Sequence, residues 1–173
     1  MIKEAILSFC LTFAPVTLPS PPDEHQLVFD VMDCVKQYNT YSDHSLQFPP
    51  LLAAAQAMHE SNWGLSRFAR EGNNYYGMKT WDLTRPHVKI QGMEDANFAM
   101  RKYPNLCFSV VDYVELLLTS SNYADFREVL TQEEYNWEEL LEELDEYATD
   151  AAYPTKVIKM IYKIEDIING QTS

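Results

Sequence analysis

Glycine is scarce in this chain, 5 residues of 173, and neither an internal repeat nor a low-complexity tract is present. Those absences exclude collagen-like, linker-like and solenoid architectures. Lysine and arginine are also few, 13 against 26 acidic residues, and they form no basic patch. Nucleic acid is therefore not an expected partner, because phosphate binding needs such a patch. Cys10, Cys34 and Cys107 lack metal-ligand spacing, and His25, His44, His59 and His87 share no spacing, so neither a metal nor a cofactor is expected. Buried free thiols are the default for the cysteines. A Cys34–Cys107 disulfide is the alternative if Cys10 is cleaved away in an oxidising compartment.

An apolar run long enough to span a bilayer comfortably is missing too. Residues 1–20 place Lys3 before the run Ala5 to Ala14 and then turn to Pro and Ser, which reads either as an export signal peptide or as a first helix packed on the domain. Periplasmic or secreted localisation follows from the first reading. The remainder, 21–173, reads as one domain. With 46% hydrophobic and 13% aromatic residues it has enough apolar surface for one core. The formal charge of −13 is concentrated: the stretch from Glu128 to Asp150 carries ten acids and no Lys or Arg, leaving −3 elsewhere. Such a run reads as the solvated face of a helix.

Helical periodicity covers about residues 23 to 38 through Leu27, Val31, Val35 and Tyr38. Pro49 and Pro50 suit the first turn of a second, alanine-rich helix, LLAAAQAMHES, which is expected to stop near Gly64. From Tyr75 to Tyr103 aromatic and β-branched residues alternate with polar ones around Pro86 and Gly92, predicting an extended, hairpin-like lobe. Helical spacing returns in SVVDYVELLLTS, in NWEELLEELDEYA through Trp137, Leu140, Leu141 and Leu144, and in TKVIKMIYKIEDII. The expected fold class is mainly α (α+β), with one small β lobe.

The chemistry concentrates between Ala57 and Trp81. Glu60 falls at the end of the alanine-rich helix, with Trp63 one turn on. A carboxyl beside an indole and partly out of water keeps its proton longer, as a general acid must. The same spacing also suits an ordinary glutamate beside a core tryptophan. Asn73 and Asn74, followed by Tyr75, Tyr76 and Gly77, put amides next to aromatic faces, a mixture that binds sugars; a simple turn into a strand has the same composition. His59, next to Glu60, projects in another direction and is expected to be supporting or core.

The run Glu60, Ser61, Trp63, Gly64, Ser66, Asn73, Asn74, Tyr75, Tyr76, Gly77, Lys79 closely resembles the signature of the bacterial peptidoglycan glucosaminidases. That family includes the flagellar muramidase-like domain, the Bax-like proteins and domains resembling mannosyl-glycoprotein endo-β-N-acetylglucosaminidase. A later block, Tyr147, Ala148, Thr149, Asp150 and Tyr153, is similar to a second motif of that family, with Ala151 where Pro is usual. So is the intervening RKYPNLCFSVVDYVELLLTSSNYADFREVL. Together the blocks span about residues 50 to 160 in the family's order. The resemblance implies a lysozyme-like helical domain that cleaves β-1,4 bonds after N-acetylglucosamine in peptidoglycan glycan strands, with Glu60 as proton donor. Carried over from the family, Tyr147 and Tyr153 would line the cleft opposite Glu60; Trp63, Asn73, Asn74, Tyr75, Tyr76 and Asp150 are the further candidate substrate contacts, and a monomer is expected. Glu94 in the lobe is the candidate second carboxylate, ahead of Asp95 and Asp82. The alternatives are a lytic transglycosylase or N-acetylmuramidase on the same fold, and a glycan-binding or assembly module without activity.

Overall fold

The computed structural model describes residues 23–171 apart from 94, 145, 146 and 149. The N-terminal segment 1–20 and the candidate Glu94 thus lie outside the described residues. Helix α1, Glu24–Tyr41, starts at Asp23, whose carboxylate accepts the backbone N–H groups of His25 (2.9 Å) and Gln26 (3.1 Å). Such a cap satisfies donors that the first turn leaves unpaired. Its buried stripe is Leu27, Val28, Val31, Cys34 and Val35.

Helix α2, Pro50–Ser61, is the centre of the domain. Ala53, Ala54, Ala55 and Ala57 are wholly buried, and both α1 and the C-terminal helix α7, Tyr153–Gln171, pack against it. Side chains of one carbon keep α2 thin enough to sit among its neighbours. A short helix α3, Arg67–Gly72, follows, capped by the Ser66 hydroxyl, which accepts from the Ala69 amide at 3.2 Å. At Gly72 a Cβ would stand 3.0 Å from Val88 and 3.3 Å from the Arg101 carbonyl. Glycine is what lets α3 touch the sheet.

That sheet is the expected lobe, but not as one simple hairpin. Its strands β1 (Lys79–Thr80), β2 (His87–Val88) and β3 (Ala99–Arg101) run antiparallel in the order β1-β3-β2, with Met100 opposite both Lys79 and Val88. The central strand comes last in the chain because β1 and β2 each pair with β3 and not with each other.

Helix α4, Leu106–Thr119, packs on α1, and the contact corrects the expectation of free thiols: Cys34 and Cys107 are joined in a disulfide, with Cα atoms 5.4 Å apart. After a 3-10 turn at Ser121–Tyr123 come α5, Ala124–Leu130, and α6, Trp137–Glu142. The sequence pattern overestimates α6, which stops before Leu144. Leu140, Leu141 and Leu144 are nonetheless core, while Trp137 is half-buried and Glu138, Glu139 and Glu142 face solvent. Among the described residues no helix is long and apolar enough to cross a membrane.

The disulfide spans 73 residues of chain. A loop of that length removes enough freedom from the unfolded chain to contribute about 4 kcal/mol on the chain-entropy account. The double variant Cys34→Ala/Cys107→Ala is expected to melt roughly 10 °C lower; calorimetry showing an unchanged Tm would contradict this coupling of α1 to α4.

Candidate active site

Glu60 lies in the last turn of α2, and the chain leaves it through an unusual turn. Asn62 (φ 51°), Trp63 (φ 57°) and Gly64 (φ 76°) are all left-handed. For the two non-glycine residues this conformation costs on the order of 1 kcal/mol each, so something must hold it. Ser61 does: its hydroxyl donates to the Ala57 carbonyl at 2.6 Å and accepts the Gly64 amide at 2.7 Å. The Trp63 amide reaches back to the Met58 carbonyl at 2.9 Å and the Ser66 amide to that of Ser61 at 2.8 Å. The helix therefore ends at Ser61, earlier than its pattern suggests, and the position of Glu60 is set by a braced backbone.

Burial raises the Glu60 carboxyl above its ordinary range, against smaller opposing effects of His59 and of a hydrogen bond from Tyr153. The negative end of the α2 dipole also disfavours its charged form. Glu60 opens on a cleft of about 400 Å³ with Tyr76, Tyr123, Tyr147 and Leu116 on its walls and Lys79, Trp81 and Arg101 along the sheet. Trp81 is 64% exposed, its indole 6.2 Å from the Phe98 ring. An indole left bare at a cleft is a flat apolar face of the kind that sugar rings stack on. Glu60 is the one carboxyl group among the described residues that line this cleft.

The tyrosines behind it hold one another. Tyr76 and Tyr113 stack at 4.0 Å with planes 2° apart, and Tyr147 stands edge-on to Tyr113 at 5.8 Å. The Tyr147 hydroxyl donates to the Tyr76 carbonyl at 2.9 Å, and that of Tyr76 to the Ala53 carbonyl at 3.1 Å. Tyr153 is buried beside Glu60, with His59 edge-on to its ring at 5.7 Å.

Of the residues singled out from sequence, Glu60, Tyr76, Tyr147 and Tyr153 thus converge. The others go elsewhere. Trp63 carries the Lys163 ammonium over its ring at 3.9 Å. Asn74 uses its amide on the carbonyls of Met78 (2.8 Å) and Arg101 (2.9 Å) and accepts the Met78 amide; Asn73 bonds the Tyr103 carbonyl at 2.9 Å. Both amides read as sugar contacts are spent on pinning the sheet. Tyr75 is buried, its backbone amide held by the Ser109 hydroxyl. Asp150 is exposed and paired with Lys156, which keeps it ionised. Asp82 borders a larger hollow, about 530 Å³, that Arg101, Tyr103 and Asp112 also line. Its carboxyl is held below the usual range by Thr84 and Arg85, and Asp112 is engaged by Arg101 and Tyr103. Trp81, Arg101 and Gln56 were not foreseen.

A mainly helical domain with a small antiparallel sheet and a half-buried carboxyl at the cleft between them has the architecture of lysozyme-like domains. The chain belongs to the family described as mannosyl-glycoprotein endo-beta-N-acetylglucosaminidase, whose pattern matches residues 33–166. It is 28% identical over 152 residues to the exo-glucosaminidase LytG of Bacillus subtilis (strain 168), covering 83% of this chain and 52% of LytG. To protein bax of Escherichia coli (strain K12) it is 31% identical over 97 residues, covering 55% of this chain and 33% of bax. It thus spans about half of one relative and a third of the other. The glycoside hydrolase domain of Salmonella typhimurium FlgJ superimposes with a TM-score of 0.64 at 25% identity, over 87% of this chain and 94% of that domain.

A raised acid pKa has a consequence for stability. Folding holds the Glu60 proton to a higher pH than the unfolded chain does, so ionisation opposes folding. The stabilisation is complete below the ordinary value of 4.5 and is lost as pH rises through the folded value. Glu60→Gln, which never ionises, is expected to melt above the wild type at pH 7 and level with it near pH 4. Melting curves that stay parallel across this range would refute the burial effect.

Proposed function

We propose that the chain is a glycoside hydrolase that cleaves β-1,4 bonds after N-acetylglucosamine in peptidoglycan glycan strands, acting outside the cytoplasm as a monomer. The observation that carries this reading is the half-buried Glu60, its carboxyl pushed up by burial, at a cleft walled by tyrosines and edged by the bare Trp81 indole. Glu60 gives its proton to the glycosidic oxygen as the bond to the anomeric carbon breaks. Tyr153 supports the carboxylate left behind, Tyr76 and Tyr147 line the sugar path, and Trp81 stacks on a ring. Family membership and the likeness to LytG support the same activity.

Digesting purified sacculi and weighing the fragments tests the reaction. A reducing N-acetylglucosamine end is expected; an anhydro-muramic end would identify a transglycosylase instead. General acid catalysis is worth about 100- to 10,000-fold, so Glu60→Gln is expected to lose at least 99% of turnover while remaining folded. A variant that keeps a tenth of wild-type turnover would end the assignment.

For the second half of the reaction we assign Glu94 as general base, which requires it to stand about 6.5–9.5 Å from Glu60 with the attacking water between them. Glu94→Gln is then expected to bind glycan normally and turn over slowly, with azide restoring activity. Full activity in that variant, together with strong inhibition by a thiazoline analogue of N-acetylglucosamine, would transfer the role to the substrate's own acetamido group.

A further inference from the structure

We propose that Gln56 is a positioning residue for the acid chemistry of Glu60, acting through Tyr153; the proposal rests on the reading of Glu60 as proton donor. Gln56 lies one turn before Glu60 on the same face of α2, and its side chain is completely buried. A buried amide must place one acceptor and two donors. Here Oε1 accepts the Tyr113 hydroxyl, and Nε2 donates to the Tyr153 hydroxyl oxygen at 2.7 Å.

Direction is the point of this arrangement. Tyr153 owns one proton, and because its oxygen receives an N–H from Gln56 at 2.7 Å, that proton is left over for the Glu60 carboxyl, the acid whose charge acts most on Tyr153. Turned over, the amide would present its carbonyl to Tyr153, take that proton itself and leave Glu60 without its donor. Tyr113 fixes the amide the right way round. Fully buried and stacked on Tyr76, it is itself unable to swing away. Hydrogen-bond donation thus runs in one sense, from Tyr113 to Gln56 and from Gln56 to Tyr153, with no proton changing owner, and leaves the Tyr153 O–H for Glu60.

The bond from Tyr153 favours the carboxylate, the form Glu60 takes once its proton has left. Keeping that bond aimed therefore eases proton donation without touching the sugar. Removing Gln56 should lower kcat, leave KM nearly unchanged and move the basic limb of the pH–rate profile upward, because Glu60 then holds its proton more tightly.

The test is a cycle of Gln56→Leu, Tyr153→Phe and the double variant, assayed on sacculi across pH. A hydrogen bond to a charged group is worth roughly a tenfold effect or somewhat more, so each single variant is expected to lose about that much kcat. The double variant should lose no more than Tyr153→Phe alone. Multiplying losses, or a lower kcat with an unmoved basic limb, would overturn the proposal. Should Gln56→Leu fail to fold, Tyr113→Phe removes only the hydroxyl that anchors Oε1, and an unmoved limb there overturns it equally. Carbon-13 titration of the Glu60 carboxyl, assigned by its loss in Glu60→Gln, reads the same upward shift without substrate. A shift in that titration with no cleavage of sacculi by the wild type would keep the relay and discard the hydrolase reading; no shift would discard the relay.

Discussion

Taking a carboxyl group partly out of water is the constraint on which the rest of this domain depends. The cost is lessened at Glu60 because burial raises the pH at which its proton leaves, an effect that lasts only while its surroundings are mostly apolar. Tyrosine meets that need in a way phenylalanine or leucine does not. Its ring excludes water, and its hydroxyl can be satisfied away from the acid, as those of Tyr76, Tyr147 and Tyr113 are on Ala53, Tyr76 and Gln56. One hydroxyl, that of Tyr153, accepts from Gln56 at 2.7 Å beside Glu60 instead. The wall is therefore apolar on its surface and hydrogen-bonded behind. A buried polar network is safe only when its members are paired, and these are.

Precision in the backbone follows from the same constraint. A carboxyl at the end of a helix would ordinarily fray with the last turn, yet Glu60 precedes three left-handed residues stapled by the Ser61 hydroxyl. Strain of this kind persists only where neighbouring bonds over-determine it. The packing of α2 between helices supplies the rest: four wholly buried alanines give its neighbours close contact along its length. Sequence, turn and packing all converge on where one side chain points.

The long helices and the place of Glu60 at the end of one were legible because their signals are local. Apolar residues at helical spacing, Asp23 before α1 and Pro50 opening α2 each report their own neighbourhood. What stayed open or escaped depended on distant pairings. Cys34 and Cys107 are 73 residues apart, and Gln56 gains its meaning only from Tyr113 and Tyr153, 57 and 97 residues away. An amide inside an alanine-rich helix that is otherwise apolar was the one available hint, since a wholly buried Gln must have partners. The densest motif residues also proved the most easily misread. Ser61, Gly64, Asn73 and Asn74 shape the backbone around the acid and the sheet, so a motif that identifies the chemistry is largely made of residues that brace it.

The net charge of −13 shows how local that control is. Were Glu60 governed by the field of the whole chain, the acids around α6 would dominate its affinity for a proton. Exposed charges, however, are screened beyond about 8 Å at physiological ionic strength, and Glu138, Glu139 and Glu142 face solvent. Desolvation acts at contact and is not screened. Burial is accordingly the largest influence on Glu60, followed by His59 and Tyr153, both of which pull the other way. Acidity on the surface can change without disturbing the site, whereas one methylene or one hydroxyl in the tyrosine wall cannot.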